Sequence, residues 1–332
     1  MRFTPVLVVL CAVFALSNPA SAWNDTGHRT IATLAYDELT PAVRAKVDVI
    51  LRAHPRYDKD LLGGMPQGYG EPERFAFAMA GYWPDIIRSQ SNPMHFTHHK
   101  PMWHYIDTPY QLPNWKPTTA PSAIPATSVA GSGATTQPAV EGPANVIEAI
   151  AENRAALRNP ERSDAEKAVA ICWLAHLVGD IHQPLHATTL YSAQFPEGDR
   201  GGNSFMVSVR RQNQNLHAVW DEMLGVQTSA TMINYLAAGI RSDPNLRREA
   251  MPQVSKTDPE VWRRESNEFG RTVAHRNGTL VGASNDDLRR DPTTPVPTLP
   301  EGYLRDAEPV ALRRAAIAGY RLADLLNAAL AE

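Results

Sequence analysis

Covalent cross-linking is all but absent from this sequence. Its cysteines are Cys11 and Cys172, and the first lies in a segment expected to be lost on export. Arg2 precedes the apolar run Val6 to Leu16 and then Ala20-Ser21-Ala22: the charged start, apolar middle and small-residue cut site of a signal peptide spanning residues 1–22. Cys172 then stands alone, so stability must rest on a core, on bound metal or on both. Its apolar helical setting reads as that of a small buried hydrophobe.

A membrane span is lacking as well. An anchor needs about 20 apolar residues, whereas the first run is shorter and ends in Ser17-Asn18-Pro19, and no second long run follows. A secreted or periplasmic chain with no membrane contact after cleavage is expected. Nor is there a basic excess: the formal charge of -3 becomes -4 when Arg2 leaves with the signal. That excludes a nucleic-acid surface built from lysine and arginine alone. Attraction for an anionic substrate would have to come from something the side-chain count omits, and bound cations are the obvious candidate.

Strand alternation is scarce too. "NSFMVSVRR", after Gly201-Gly202, reads as one arm of a short hairpin, and the fold class is mainly α. Helical spacing appears over residues 37–53, with Thr40 as cap and Pro41 in the first turn, over 144–158 and 164–177, and over 306–330. Residues 111–143 carry six prolines among Ala, Thr, Ser and Gly, and 291–300 carry four more. Both read as surface loops. The first is an insertion in a single domain, 23–332, because chemically interesting residues lie on both sides of it.

What the sequence does have is paired histidines and carboxylates. In "HLVGDIHQPLHA", residues 176–187, His176 and Asp180 are four apart on a predicted helix, which stacks them on one face. Pro184 should end or kink that helix, with His186 beyond the break. "NLHAVWDE" repeats the spacing in His217 and Asp221. One such pair is explained by an ion pair on a solvated face. Two pairs with apolar flanks and a further histidine are better explained by metal, since a carboxylate in apolar surroundings needs a partner or a cation. Imidazole and carboxylate without thiolate suit zinc, with manganese or iron compatible by ligand type. Asp85 in "YWPDIIR" and His104 in "MWHYIDTP" are further candidates, each equally readable alone as a helix cap or a satisfied core histidine.

Trp23, His28, Asp85, His104, His176, Asp180, His186, His217 and Asp221 together resemble the ligand list of the nuclease type I family. These are exported trinuclear-zinc nucleases and 3′-nucleotidases, related in fold to zinc-dependent bacterial phospholipase C. The resemblance runs from "WNDTGH" through "YWPDIIR", "WHYID", "HLVGDIHQPLH", "GGNSF" and "NLHAVWD" to "AGYRLADLLN". It implies a phospholipase C/nuclease-like helical fold with at most a short β-hairpin, and a zinc cluster at the base of a cleft. One zinc would take Asp85, His104, His176 and Asp180. A second would take the α-amino nitrogen and carbonyl of Trp23 with His28, sharing Asp180, and a third His186, His217 and Asp221.

The implied activity is hydrolysis of single-stranded DNA and RNA to 5′-phosphate products, with 3′-nucleotides also as substrates and no stable protein partner. Hydroxide held between two metal ions would attack phosphorus and the 3′-oxygen would leave. Arg88 would support charge on the phosphate, Tyr105 would stack a base, and Asp107 would contact the base or orient water. Asn203 would belong to a nucleotide-contacting loop, although Gly201-Gly202-Asn203 also reads as a simple turn.

The chain departs from fungal relatives in having no possible disulfide and a longer stretch after Asp107. His182 reads as a support for the cluster rather than a ligand. His95, His98 and His99 read as a solvated loop, a loop metal site or a basic patch, while His54 and His275 carry no signal. Two competing functions are a zinc-dependent phospholipase C and a non-catalytic exported zinc-binding protein. The five-residue gap from Trp23 to His28 and a last pair ending in Asp221 favour the nuclease over the lipase. Arg88, Tyr105 and Asp107 would be superfluous in a purely structural site.

Overall fold

The computed structural model describes residues 23–113, 115 and 142–331. The expected signal at 1–22 and most of the expected insertion at 111–143 lie outside the described residues. In chain order the helices are α1 (Asp25–Asp37), α2 (Pro41–Arg52), α3 (Pro72–Ile86), α4 (His95–His98), α5 (Val146–Arg158), α6 (Asp164–Asp180), α7 (Leu216–Asp221), α8 (Ala230–Ser242), α9 (Pro259–Phe269), α10 (Asn285–Arg290) and α11 (Tyr303–Leu330). The strands are β1 (Pro109–Gln111), β2 (Thr189–Tyr191), β3 (Phe205–Val209), β4 (Gln212–Asn215) and β5 (Ala283–Ser284).

Helix α6 organises the rest. It opens on a capping box in which the Ser163 hydroxyl accepts from the Glu166 N–H and the Glu166 carboxylate accepts from the Ser163 N–H. Every residue from Ala168 to Asp180 is buried, as befits a helix surrounded by other helices. Helices α1, α2, α3, α5 and α11 all pack against it. One apolar cluster holds Trp83, Trp173 and Ile181. A second holds Trp23, Leu185, Phe205 and Trp220. The chain leaving α6 therefore passes from one cluster to the other between Ile181 and Leu185.

The mainly α class is borne out, and the hairpin arm is real: β3 pairs antiparallel with β4. The sheet goes further than a hairpin. Strand β5 joins the other side of β3, and β1 runs parallel to β2. These additions escape a period-two reading because each has two or three residues, too few to show alternation.

On α11, Arg314 and Arg321 are each 1% exposed, and both donate to Glu265 of α9 at 2.7 Å. Buried guanidiniums need such a counter-charge. Glu265→Ala should therefore lower stability by roughly 3–5 kcal/mol, read as an earlier urea midpoint at unchanged metal content. A midpoint equal to that of the parent would show the pair to be dispensable.

Candidate metal centre

The centre is assembled by short-range rules in six places. Asn24 caps α1 by accepting from the Gly27 N–H, which places His28 in the first turn. Asp85 ends α3, and His104 closes a 3₁₀ turn begun by Pro101. His176 and Asp180 share a face of the last turn of α6. Past the break, Pro184 starts a second 3₁₀ turn carrying His186, and α7, capped by Asn215, carries His217 and Asp221. All eight side chains are buried.

Their donor atoms fall into three groups: His28, Asp85 and His176; His104, His176 and Asp180; and His186, His217 and Asp221. Within each group the atoms lie within 4.8 Å of one another. Asp180 joins the first two groups. Its Oδ1 is 3.3 Å from His28 Nε2, and its Oδ2 is 3.0 Å from His104 Nδ1 and 3.2 Å from His176 Nε2. Such convergence needs α1 and α6 to approach closely. A Cβ on residue 179 would sit 3.1 Å from His28 Nδ1, so glycine there keeps the ring in place.

The tautomers show what the groups are built to hold. His176 Nδ1 lies 2.8 Å from the Gly81 carbonyl, His186 Nδ1 2.7 Å from the His104 carbonyl, and His217 Nδ1 2.6 Å from the Gly201 carbonyl. A carbonyl only accepts, so each Nδ1 carries the proton and each Nε2 presents a lone pair. The bare Nε2 atoms of His186 and His217 then face each other at 2.9 Å, with Asp221 Oδ2 3.6 Å from the latter. Lone pairs and a carboxylate aimed at one point repel unless a cation lies among them. His28 Nδ1, His104 Nε2 and Asp85 Oδ2 are also buried without a hydrogen bond. This donor set fits divalent metal, and its all-N/O composition fits zinc.

Proton affinities agree. Burial pulls His28 down to about 4 and His104 to about 3, so both rings are neutral near pH 7. Burial also lowers His186. At His176 burial acts the same way but is outweighed by Asp180 and Asp85, and the net shift is upward. Burial would raise Asp180, yet His176 and the bonds from His104, His176 and His28 hold it well below the usual carboxylate range. Burial pushes Asp221 well up despite a bond from Gln183. A carboxyl so placed ionises only when positive charge arrives.

Arg88 sits against the centre, with Nε 2.6 Å from Asp85 Oδ1 and Nη2 3.2 Å from His104 Nδ1. Asp107 is buried and accepts from the Thr189 hydroxyl. Tyr105 is partly exposed, its hydroxyl donating to Met102 Sδ. The Asn203 side chain donates to the Arg200 carbonyl in a tight turn. Trp23 is fully buried, and its indole N–H donates to the Gly179 carbonyl at 3.1 Å.

One expectation is corrected. His182 does not face the cluster. Its Nδ1 meets the Val178 carbonyl, its Nε2 meets Arg321, and Trp262 packs on the ring. Two residues past the end of α6, the chain has turned that side chain toward α11. Conversely, sequence spacing missed Gln183, which donates to Asp221 Oδ1 at 2.7 Å while accepting from the Leu185 N–H. It also missed Asp199, a fully buried carboxylate that accepts N–H groups of Leu190, Gly201 and Gly202 and lies 3.3 Å from His275 Nε2. Burial pushes Asp199 up to about 7 against those donors and pulls His275 down to about 3. The loop it ties has Gly201 at φ +61, where a Cβ would come 2.6 Å from the Leu185 carbonyl, and that glycine's own carbonyl orients His217. The "GDRGGN" string was the available signal, since adjacent glycines mark a backbone shape few other residues adopt.

A family model described as S1/P1 Nuclease matches residues 23–331. Endonuclease 4 of Arabidopsis thaliana is 32% identical over 169 residues, 48% of this chain and 49% of that protein. Endonuclease 3 of the same plant is 24% identical over 341 residues, 97% of this chain and 93% of its own length. Nuclease S1 of Aspergillus oryzae is 24% identical over 216 residues, covering 65% and 59%. With Endonuclease 4 and Endonuclease 5 of Arabidopsis thaliana, the chain spans about half the length of the relative.

Proposed function

Because the chain belongs to the S1/P1 nuclease family, we propose that it is a zinc-dependent phosphodiesterase. It cleaves single-stranded DNA and RNA to 5′-phosphate products and also acts on 3′-nucleotides. The observation that carries this reading is the set of buried imidazole lone pairs and carboxylates converging beside one arginine.

Zinc would be held by Asp85, His104, His176 and Asp180; by Trp23, His28 and the shared Asp180; and by His186, His217 and Asp221. When bound, these ions would neutralise phosphate oxygens as Lewis acids and make water acidic enough to attack near neutral pH. The protein's own work is positioning. The Gly81, His104 and Gly201 carbonyls hold three rings in the tautomer that leaves Nε2 free to ligate. Arg88, tied to Asp85, offers a planar fork suited to phosphate oxygens as charge builds on them. Tyr105 would stack a base, which requires one that is unpaired and accounts for a single-strand preference. Asp107 would contact that base or orient water, and Asn203 would line the same cleft.

The test is metal analysis of the protein beginning at Trp23, paired with hydrolysis of denatured DNA before and after chelation. Zinc at about three ions per chain and loss of cleavage on chelation are expected. Full cleavage by metal-free protein, or phosphatidylcholine turnover without DNA loss, would sink the proposal. Arg88→Ala should keep its metal and lower kcat by roughly 10²–10³-fold. Unchanged turnover would count against this arginine.

A further inference from the structure

The turn after α3 carries features that the metal centre does not use. Phe96 is 82% exposed, more than any other large apolar side chain among the described residues. A single exposed phenylalanine is ordinary. This one is backed by a ladder of rings. Its ring stands edge-on to His95 at 5.0 Å, and His95 stacks on His99 at 4.9 Å with 20° between planes. The platform is anchored, because His95 Nδ1 lies 2.9 Å from the Ile87 carbonyl.

At its inner end the ladder is fixed to the carbonyl of Ile87, the residue directly before Arg88. The ladder thus leads from solvent toward the arginine of the metal centre. Its charge is equally specific. From Ile86 to Ile106 the chain has no Asp or Glu, and its exposed Lys100 lies four residues from Phe96, in a protein whose overall charge is negative. An exposed lysine beside an exposed ring has the two properties that hold a single strand: phosphate attraction and a face for a base.

We propose that residues 95–100 form a second nucleic-acid subsite, in which a base of the single strand away from the scissile phosphate stacks on Phe96 while Lys100 draws its backbone. This rests on the nuclease reading and adds a reach beyond the cleaved bond. The consequence is a preference for longer strands over dinucleotides.

The experiment compares KM on an oligothymidylate of about ten nucleotides with KM on thymidylyl dinucleotide, for the parent protein, Phe96→Ala and Phe96→Trp. Loss of one stacked base should raise the ratio of oligonucleotide KM to dinucleotide KM about tenfold in Phe96→Ala. Phe96→Trp should restore the parent ratio, since any broad ring offers the base a face. An unchanged ratio in Phe96→Ala, or a Trp variant as impaired as the Ala variant, would overturn the subsite. Should the parent cleave neither substrate, the nuclease reading itself would fall, a result distinct from active protein with an indifferent Phe96.

Discussion

Asp180→Asn should reduce phosphodiester hydrolysis by at least about 10³-fold, the upper range for losing one preorganised electrostatic group. Three imidazoles from three separate elements meet this carboxylate, and it is completely buried. Asparagine has almost the same shape but no charge, and its amide hydrogens would point at ring nitrogens. Two of the three groups would then lose their shared anion, leaving zinc at the His186, His217 and Asp221 group alone.

A second measurement separates this from misfolding. Metal that binds only the folded chain stabilises it by about 4 kcal/mol at a thousandfold excess over Kd. The parent should therefore show a large zinc-dependent rise in melting temperature, and the variant a much smaller one. Without metal, the variant should melt earlier than the parent, because it loses the bonds that hold Asp180 ionised, so the zinc-dependent rise is compared within each protein. Near-parental activity, or a full zinc-induced shift, would remove Asp180 from the centre.

Keeping one extra residue before Trp23 should weaken zinc binding by about 10–100-fold, comparable to the loss of a group that orients a ligand. The indole of Trp23 is tied to the residue before Asp180, and the next N–H, of Asn24, donates to the Asp221 carbonyl at 3.3 Å. Residue 23 is thus held between two of the candidate groups. An α-amino group has a pKa near 8 and can give up its proton to a metal, whereas an amide nitrogen is a poor ligand. Protein beginning Met-Trp23 should contain less zinc and cleave slowly, while protein cut after Ala22 should be fully loaded. Equal zinc content in the two would reduce the tryptophan to a packing neighbour of His28.

How much of this was legible depends on the element. Helix α6 announced itself through its apolar stretch at helical spacing from Asp164, and its pair of ligands followed from spacing. Helix α1 did not, because its buried face includes Thr26, His28, Thr30 and Thr33, which blur the apolar period. Helix α3 is apolar nearly all round and carries Pro84 in its last turn, a residue that normally argues against continuing a helix. The turn between β3 and β4 was hidden more thoroughly. Arg210 and Arg211 both have positive φ, at 49° and 68°, where the usual signal would be Asn-Gly. The adjoining strand reads Gln-Asn-Gln-Asn, with no apolar alternation to betray it.

The sequence by itself determined the kinds of ligand present and the pairs that share a turn, since about 3.6 residues per turn places positions four apart on one face of an α-helix. It could not determine that His28, His104 and His176 would meet one carboxylate, or that His182, two residues from that carboxylate, would turn to Arg321 instead. Those outcomes depend on how closely helices pack and where each is cut. Gly179 lets α1 approach α6, and α6 ends at Asp180, so side chains beyond it leave the face that spacing alone would assign them.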